Sequence, residues 1–202
     1  MPPLLGILGG TFDPPHLGHL ILADEARLQL GLGRVLWMLT PDPPHKQDQT
    51  LTPLEHRLAM VTLAIAGEPA FELSTVEIDR PGPHYALDTV RFLVEQNPGV
   101  DLVYLMGEDS LRDLPRWHRP ADLVAALHAL GVMRRPGAAA DLPALEKVIP
   151  GIGRKVRYVD APLVEISSSG VRRRAVEGHP FQYLLPPEVY RYVIQHDLYH
   201  HL

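Results

Sequence analysis

Gly9-Gly10-Thr11-Phe12-Asp13-Pro14-Pro15-His16-Leu17-Gly18-His19-Leu20 is the stretch whose reading decides the fold. The apolar run before it, Leu4-Leu5-Gly6-Ile7-Leu8, reads as a buried strand entering a glycine turn, and Leu17 to Leu30 has the pattern of a helix. A strand, a glycine turn and a helix in that order present backbone N–H groups and a helix N-terminus to phosphate.

Strand-like and helix-like segments then alternate through the chain. Strands are expected at Arg34–Leu39, Phe71–Ile78, Leu102–Met106, Ala129–Met133 and Val156–Val159. Helices are expected from a capping box at Thr52-Pro53-Leu54-Glu55 to about Ile65, and at Leu87–Gln96, Gly170–Glu177 and Pro187–His196. Residues 41–50 read as a proline-rich loop, and residues 134–153, rich in Gly, Ala and Pro, as a flexible excursion. Repeated β-α alternation predicts an α/β fold, a Rossmann-like doubly wound parallel sheet in a single domain spanning residues 1–202. Ligands gather at the carboxyl ends of such strands. Gly9-Gly10, Thr40 to Lys46 and Gly107-Glu108-Asp109-Ser110 all fall there.

The bulk numbers narrow the function. A chain of 202 residues that is 46% apolar can bury one sizeable core. Its 19 basic and 24 acidic residues leave a net charge of −5, which argues against a general nucleic-acid or membrane-surface binder. The absence of cysteine excludes disulfides and Cys-based zinc sites. With no signal-peptide pattern and no apolar run long enough to span a bilayer, the expected location is cytoplasmic. The sequence leaves room for a homo-oligomer.

His16 and His19 flank Leu17-Gly18 where the turn meets the helix. No third or fourth ligand stands at a zinc spacing, so phosphate contact is preferred over metal binding, with simple helix capping as the alternative. The segment Ile166-Ser167-Ser168-Ser169-Gly170-Val171-Arg172-Arg173-Arg174 is a second phosphate cradle. Its serines precede a helix, and Arg172 lies one turn in. Arg173 and Arg174 read as a solvated face. Trp37, inside a strand, reads as core.

Together the two stretches resemble the nucleotidylyltransferases, whose signatures are an HxGH element and a C-terminal serine-rich segment with arginine. Within them the chain is most similar to the bacterial nicotinate-mononucleotide adenylyltransferases. The likeness extends through Pro43-Pro44-His45-Lys46, Gly107-Glu108-Asp109-Ser110, Trp117-His118, Met133 to Gly137 and Leu184-Leu185-Pro186. That resemblance implies transfer of the adenylyl group of ATP to nicotinate mononucleotide, giving deamido-NAD and pyrophosphate. It implies that His16 and His19 serve the α-phosphate, and that Lys46, Ser167, Ser168 and Arg172 hold phosphates. Gly9, Gly10, Thr11, Phe12, Gly107, Asp109 and Ile166 would join the ATP site. Thr40, His45, Tyr85, Ala86, Trp117 and Arg134 would form the acceptor site, with Trp117 stacking on the nicotinate ring and Arg134 meeting the acceptor phosphate. Asp109 faces the ribose or caps the helix near Ser110; both readings stay open. Mg2+ would bind mainly through the ATP phosphates. Alternatives are a nicotinamide-mononucleotide or phosphopantetheine adenylyltransferase, or a non-catalytic nucleotide sensor. The chain departs from the family pattern at Ala86, where a threonine usually follows the tyrosine, and at Thr40, near a common asparagine.

Overall fold

The computed structural model describes residues 2–42, 50–134, 139–162 and 164–199. Its centre is a parallel sheet of β1 (Leu4–Gly10), β2 (Arg34–Leu39), β3 (Phe71–Ser74), β4 (Asp101–Gly107), β5 (Ala129–Met133) and β6 (Val156–Val159), in the order β3-β2-β1-β4-β5-β6. The chain winds outward from β1 in one direction, then returns and winds outward from β4 in the other. The sheet therefore has its switch point between β1 and β4, where open α/β sheets place their ligands.

Helices cover both faces. α1 (Leu17–Leu30) and α2 (Leu54–Ile65) bury Leu22, Ala23, Ala26, Val61 and Ile65 against Leu8, Val35, Trp37, Val103 and Leu105. On the opposite face, α3 (Ala86–Gln96) and α5 (Pro120–Ala126) bury Leu87, Val90, Leu93, Leu123 and Val124 against Leu5, Ile7, Leu102, Tyr104 and Met106. The period-two alternation of a strand explains the split, because successive residues of β1 and β4 go to opposite cores. A third cluster joins α2 to α8 (Ser168–Val176) and α9 (Pro187–Gln195) through Met60, Val171, Val189 and Val193.

Three sequence expectations change. The strand begun at Phe71 ends at Ser74, because the N–H groups of Ile78 and Asp79 turn back onto the Thr75 carbonyl. The stretch expected to be flexible from 134 to 153 contains α6 (Leu142–Val148) and the start of α7 (Ile152–Lys155), and Leu145, Ile149 and Ile152 are buried in the main core. Its alanines and prolines obscured an apolar spacing that packs. The capping box at Thr52 does not form: Pro53 is the N-cap of α2, and both backbone groups of Thr52 are taken by Asp13 and Arg57. Two short helices, α4 (Glu108–Asp113) and α5, carry too few residues to show a period.

Candidate active site

β1 delivers its chain end to the switch point, and α1 begins there with His16 as N-cap in extended backbone. The His16 backbone N–H donates to His19 Nδ1 at 3.2 Å, and the two imidazoles stack with centroids 3.7 Å apart. Because Nδ1 accepts, a neutral His19 ring carries its proton on Nε2. Edge-on contact with Phe12 at 5.1 Å further fixes the ring plane. Both imidazoles line the cleft, so capping and phosphate contact are compatible here. A Cβ at Gly18 would stand 3.1 Å from the His16 ring, so the imidazole would have to give way by a few tenths of an ångström.

The second cradle docks onto the first. Ser167 is the N-cap of α8 and accepts from the Gly170 N–H at 3.1 Å. Ser168 Oγ donates to the Pro14 carbonyl at 2.8 Å, and the Arg172 guanidinium donates to the Asp13 carbonyl at 2.7 Å. Ile166 packs beside the third cluster, its carbonyl lying against the Gly18 position. Two distant segments thus meet with their helix N-termini on one cavity of about 470 Å³, whose walls include Gly9, Gly10, Thr11, Phe12, His16, His19, Gly107, Asp109, Ser167, Ser168 and Arg172.

Beneath this lobe lies a buried hub that the sequence did not disclose. Arg57, on α2, donates to the carbonyls of Thr52 at 2.9 Å, Thr11 at 3.3 Å, Thr40 at 2.9 Å and Pro41 at 2.8 Å. Burial lowers its pKa, while the charges of Asp13 and Asp42 raise it again. Asp13, also buried, accepts from the Thr52 N–H at 3.2 Å and from the Tyr199 hydroxyl at 2.8 Å. Burial, followed by the Asp13 charge, pushes the Tyr199 phenol far above the ordinary tyrosine range. An arginine on an otherwise apolar helix face was the one available signal.

A second lobe of about 540 Å³ opens beside the first and shares Thr40, Tyr104, Ser110 and Trp117 with it. Tyr85 and Ala86 enter this lobe at the start of α3, where the first N–H groups of the helix lack intrahelical partners. The Tyr85 ring stacks on His118 at 4.0 Å, and Trp117 meets Tyr104 edge-on at 5.9 Å. Below them the Thr89 hydroxyl donates to Glu77 at 2.7 Å and accepts from Arg80. Thr40, Tyr85, Ala86 and Trp117 are therefore brought together as expected, with His84, Glu77 and Tyr104 as additions.

The remaining expectations divide. Gly107, not Asp109, is the N-cap of α4; Asp109 sits in the first turn, 3.3 Å from Arg112, on the wall of the first lobe. Arg134 lays its guanidinium over the Tyr158 ring at 4.2 Å and approaches Asp160 at 3.8 Å. His45 and Lys46 lie outside the described residues. Trp37 is core, packed between Phe12 and Phe71.

This sheet order, with a glycine turn and a serine-rich helix start meeting on a two-lobed cleft at its switch point, is the Rossmann-like architecture of nucleotidyltransferases. The chain belongs to the Cytidylyltransferase-like family, whose model matches residues 7–174. Among its relatives, the "Probable nicotinate-nucleotide adenylyltransferase" of Thermomicrobium roseum is 46% identical over 195 residues, covering 96% of this chain and 91% of that protein. The protein of the same name from Roseiflexus sp. strain RS-1 is 45% identical, covering 96% and 97%. The nicotinic acid mononucleotide adenylyltransferase of Plasmodium falciparum, solved in complex with NaAD, shares the fold with a TM-score of 0.81 at 21% identity, covering 98% of this chain and 97% of that one.

Proposed function

We propose that this enzyme transfers the adenylyl group of ATP to nicotinate mononucleotide, giving deamido-NAD and pyrophosphate, a step of NAD biosynthesis. The observation that carries the reading is the two-lobed cleft, in which a phosphate cradle built from both motifs is continuous with an aromatic acceptor lobe. The reaction needs two anions held in line and their charge offset, so positioning and electrostatics supply the rate. The acceptor phosphate attacks the α-phosphorus of ATP, and the bond to the bridging oxygen of the leaving pyrophosphate breaks.

His16 and His19 stabilise charge on the α-phosphate, with His19 donating from Nε2. Ser167, Ser168, Arg172 and Lys46 hold the departing phosphates, and Gly9, Gly10, Thr11, Phe12 and Ile166 shape the nucleotide bed. Gly107 and Asp109 face the adenosine. Trp117 stacks on the nicotinate ring. The Tyr85 N–H donates to the Pro83 carbonyl at 3.2 Å, so the N–H groups that follow it, from Ala86 at the start of α3, read the carboxylate in place of a threonine hydroxyl. A divalent cation fits as a companion of the nucleotide. Asp109 is the carboxylate on the wall of the ATP lobe, and among the described residues no group of three or more His, Cys, Asp or Glu could hold a metal. Bound through ATP, Mg2+ offsets phosphate charge. The partners are ATP and the mononucleotide, in the cytoplasm, without nucleic acid or membrane; no helix among the described residues is long and apolar enough to cross one.

The test supplies the purified protein with ATP, Mg2+ and either nicotinate or nicotinamide mononucleotide and follows pyrophosphate release. Release with a clear preference for the acid is expected. Preference for the amide would overturn the substrate, and no release with either would overturn the reaction.

A further inference from the structure

Tyr104 is a cleft side chain whose chemistry the reaction scheme above leaves unused, and it stands at the seam of the two lobes. It belongs to β4, the strand across the switch point from β1, and it lines both lobes. Leu5, Ile7 and Gly9 alternate onto the same face of β1, and Tyr104 is in register with Ile7. Its ring therefore leans across the end of β1 toward Gly9. A Cβ at Gly9 would stand 2.6 Å from the Tyr104 hydroxyl oxygen but 3.5 Å from the ring carbon that bears it. A side chain at Gly9 would thus displace the Tyr104 hydroxyl before it met the ring. Trp117 supports the ring from the acceptor side. Although the residue is only 7% exposed, no described residue hydrogen-bonds its hydroxyl.

A phenol hydroxyl that opens onto the cavity and is bonded by no described residue is placed to donate to whatever occupies that cavity. We propose that Tyr104 is an acceptor-binding residue of this enzyme, donating its hydroxyl to a ribosyl-phosphate oxygen of the mononucleotide where that substrate meets ATP. The inference rests on the reaction proposed above. Burial, with the nearby Glu77 charge, holds the phenol well above the ordinary tyrosine range, so it stays a neutral donor at working pH. A neutral donor suits this place, since it can hold the attacking phosphate without drawing off its charge as a cation would.

Tyr104→Phe removes the oxygen and keeps the ring, so the fold should persist, checked by an unchanged or raised Tm. The expected result is an acceptor KM raised about tenfold, with the ATP KM changed by less than about twofold. An acceptor KM within about twofold of wild type, or a parallel rise in both KM values, overturns the inference. Gly9→Ala supplies a second, independent measurement. In the wild-type background it should lower kcat/KM sharply, because the methyl group collides with the hydroxyl; in the Tyr104→Phe background most of that loss should disappear. An equal loss in both backgrounds would show that the oxygen is not what Gly9 makes room for. The wild-type control separates the two levels: no turnover of nicotinate mononucleotide removes the reaction and this inference with it, whereas normal wild-type turnover with an unchanged Tyr104→Phe variant removes this inference alone.

Discussion

The two lobes of the cleft are held by opposite means. The phosphate lobe is stitched by hydrogen bonds between segments far apart in the chain: Arg172 to Asp13, Ser168 to Pro14, Arg57 to four carbonyls. The acceptor lobe is shaped by ring faces, Tyr85 on His118 and Trp117 against Tyr104, over a small polar floor. A phosphoryl group reacts in one geometry, and directional bonds to rigid turns fix it. A pyridine ring needs a flat place to lie, and aromatic surfaces supply area with little directional demand. Damage in the first lobe should therefore appear in kcat and in stability, and damage in the second chiefly in the acceptor KM.

His19→Ala should break the first lobe most severely. Loss of a donor aimed at developing phosphoryl charge is expected to lower kcat by at least about a hundredfold, with Tm close to wild type. Steady-state kinetics and a thermal melt on one preparation check both halves. Loss of the fold instead would assign His19 to the helix start alone.

Arg57→Met tests the hub beneath that lobe. It strands four carbonyls and takes the Arg57 charge away from the buried Asp13 carboxylate, a change expected to cost about 3–5 kcal/mol in urea unfolding. Activity should fall only with the folded fraction and with the set of the two turns. A stability within about 1 kcal/mol of wild type would show that water replaces the guanidinium.

How much of this could be read in the chain follows the same division. The walls of the first lobe were legible because each half is a contiguous motif, GGTFDPPHLGHL and ISSSGVRRR, in which glycine, serine and histidine carry local geometric meaning. The strand order was within reach for the same reason, since alternation and the apolar runs of β1, β2, β4 and β5 are strong signals. The second lobe is assembled from single residues on separate segments: Thr40 was flagged by its place at the end of a strand, and only resemblance to a family pointed to Tyr85, Ala86 and Trp117. Glu77, His84 and Tyr104 had no local signature, because their roles come from the sheet register and from loop positions. Arg57 and Tyr199 were illegible for a further reason: a buried charge or phenol is explained by partners distant in sequence, here Asp13 and the loop carbonyls. The helices at 142–155 were missed because Gly, Ala and Pro mimic a loop until Leu145, Ile149 and Ile152 are seen to pack.

Tyr199→Phe should show a smaller effect that depends on pH. The hydroxyl donates to the Asp13 carboxylate, and its removal is expected to cost about 1–3 kcal/mol at neutral pH. Because the folded phenol is held far above the ordinary value of 10.0, its contribution is complete below that pH, where the unfolded phenol is also neutral. As pH rises past 10.0 the unfolded chain ionises while the folded one resists, so wild-type stability should decline. The variant should decline less steeply, with Tyr104 and Tyr158, also held above the ordinary value, contributing to the remaining slope. Parallel denaturation curves at neutral pH and above pH 10.0 decide it: equal slopes for both proteins would remove Tyr199 from the linkage.

Arg134→Ala should have the smallest effect, and it bears directly on the boundary between the lobes. The resemblance assigns Arg134 to the acceptor phosphate, whereas the structure lays its guanidinium over Tyr158 and near Asp160, both partners on or just beyond the outermost strand β6. The Asp160 side chain is 93% exposed, so that ion pair is worth less than about 1 kcal/mol. The stacking adds about as much again. If this arrangement persists with substrate bound, Arg134→Ala changes the acceptor KM by less than about twofold and lowers Tm only slightly. If the side chain leaves Tyr158 to meet the acceptor phosphate, the KM rises about tenfold or more, since a charge-assisted bond to phosphate is worth roughly twice a neutral one. Tyr158→Ala then separates the outcomes: releasing the guanidinium from its ring should tighten acceptor binding in the second case and leave it unchanged in the first.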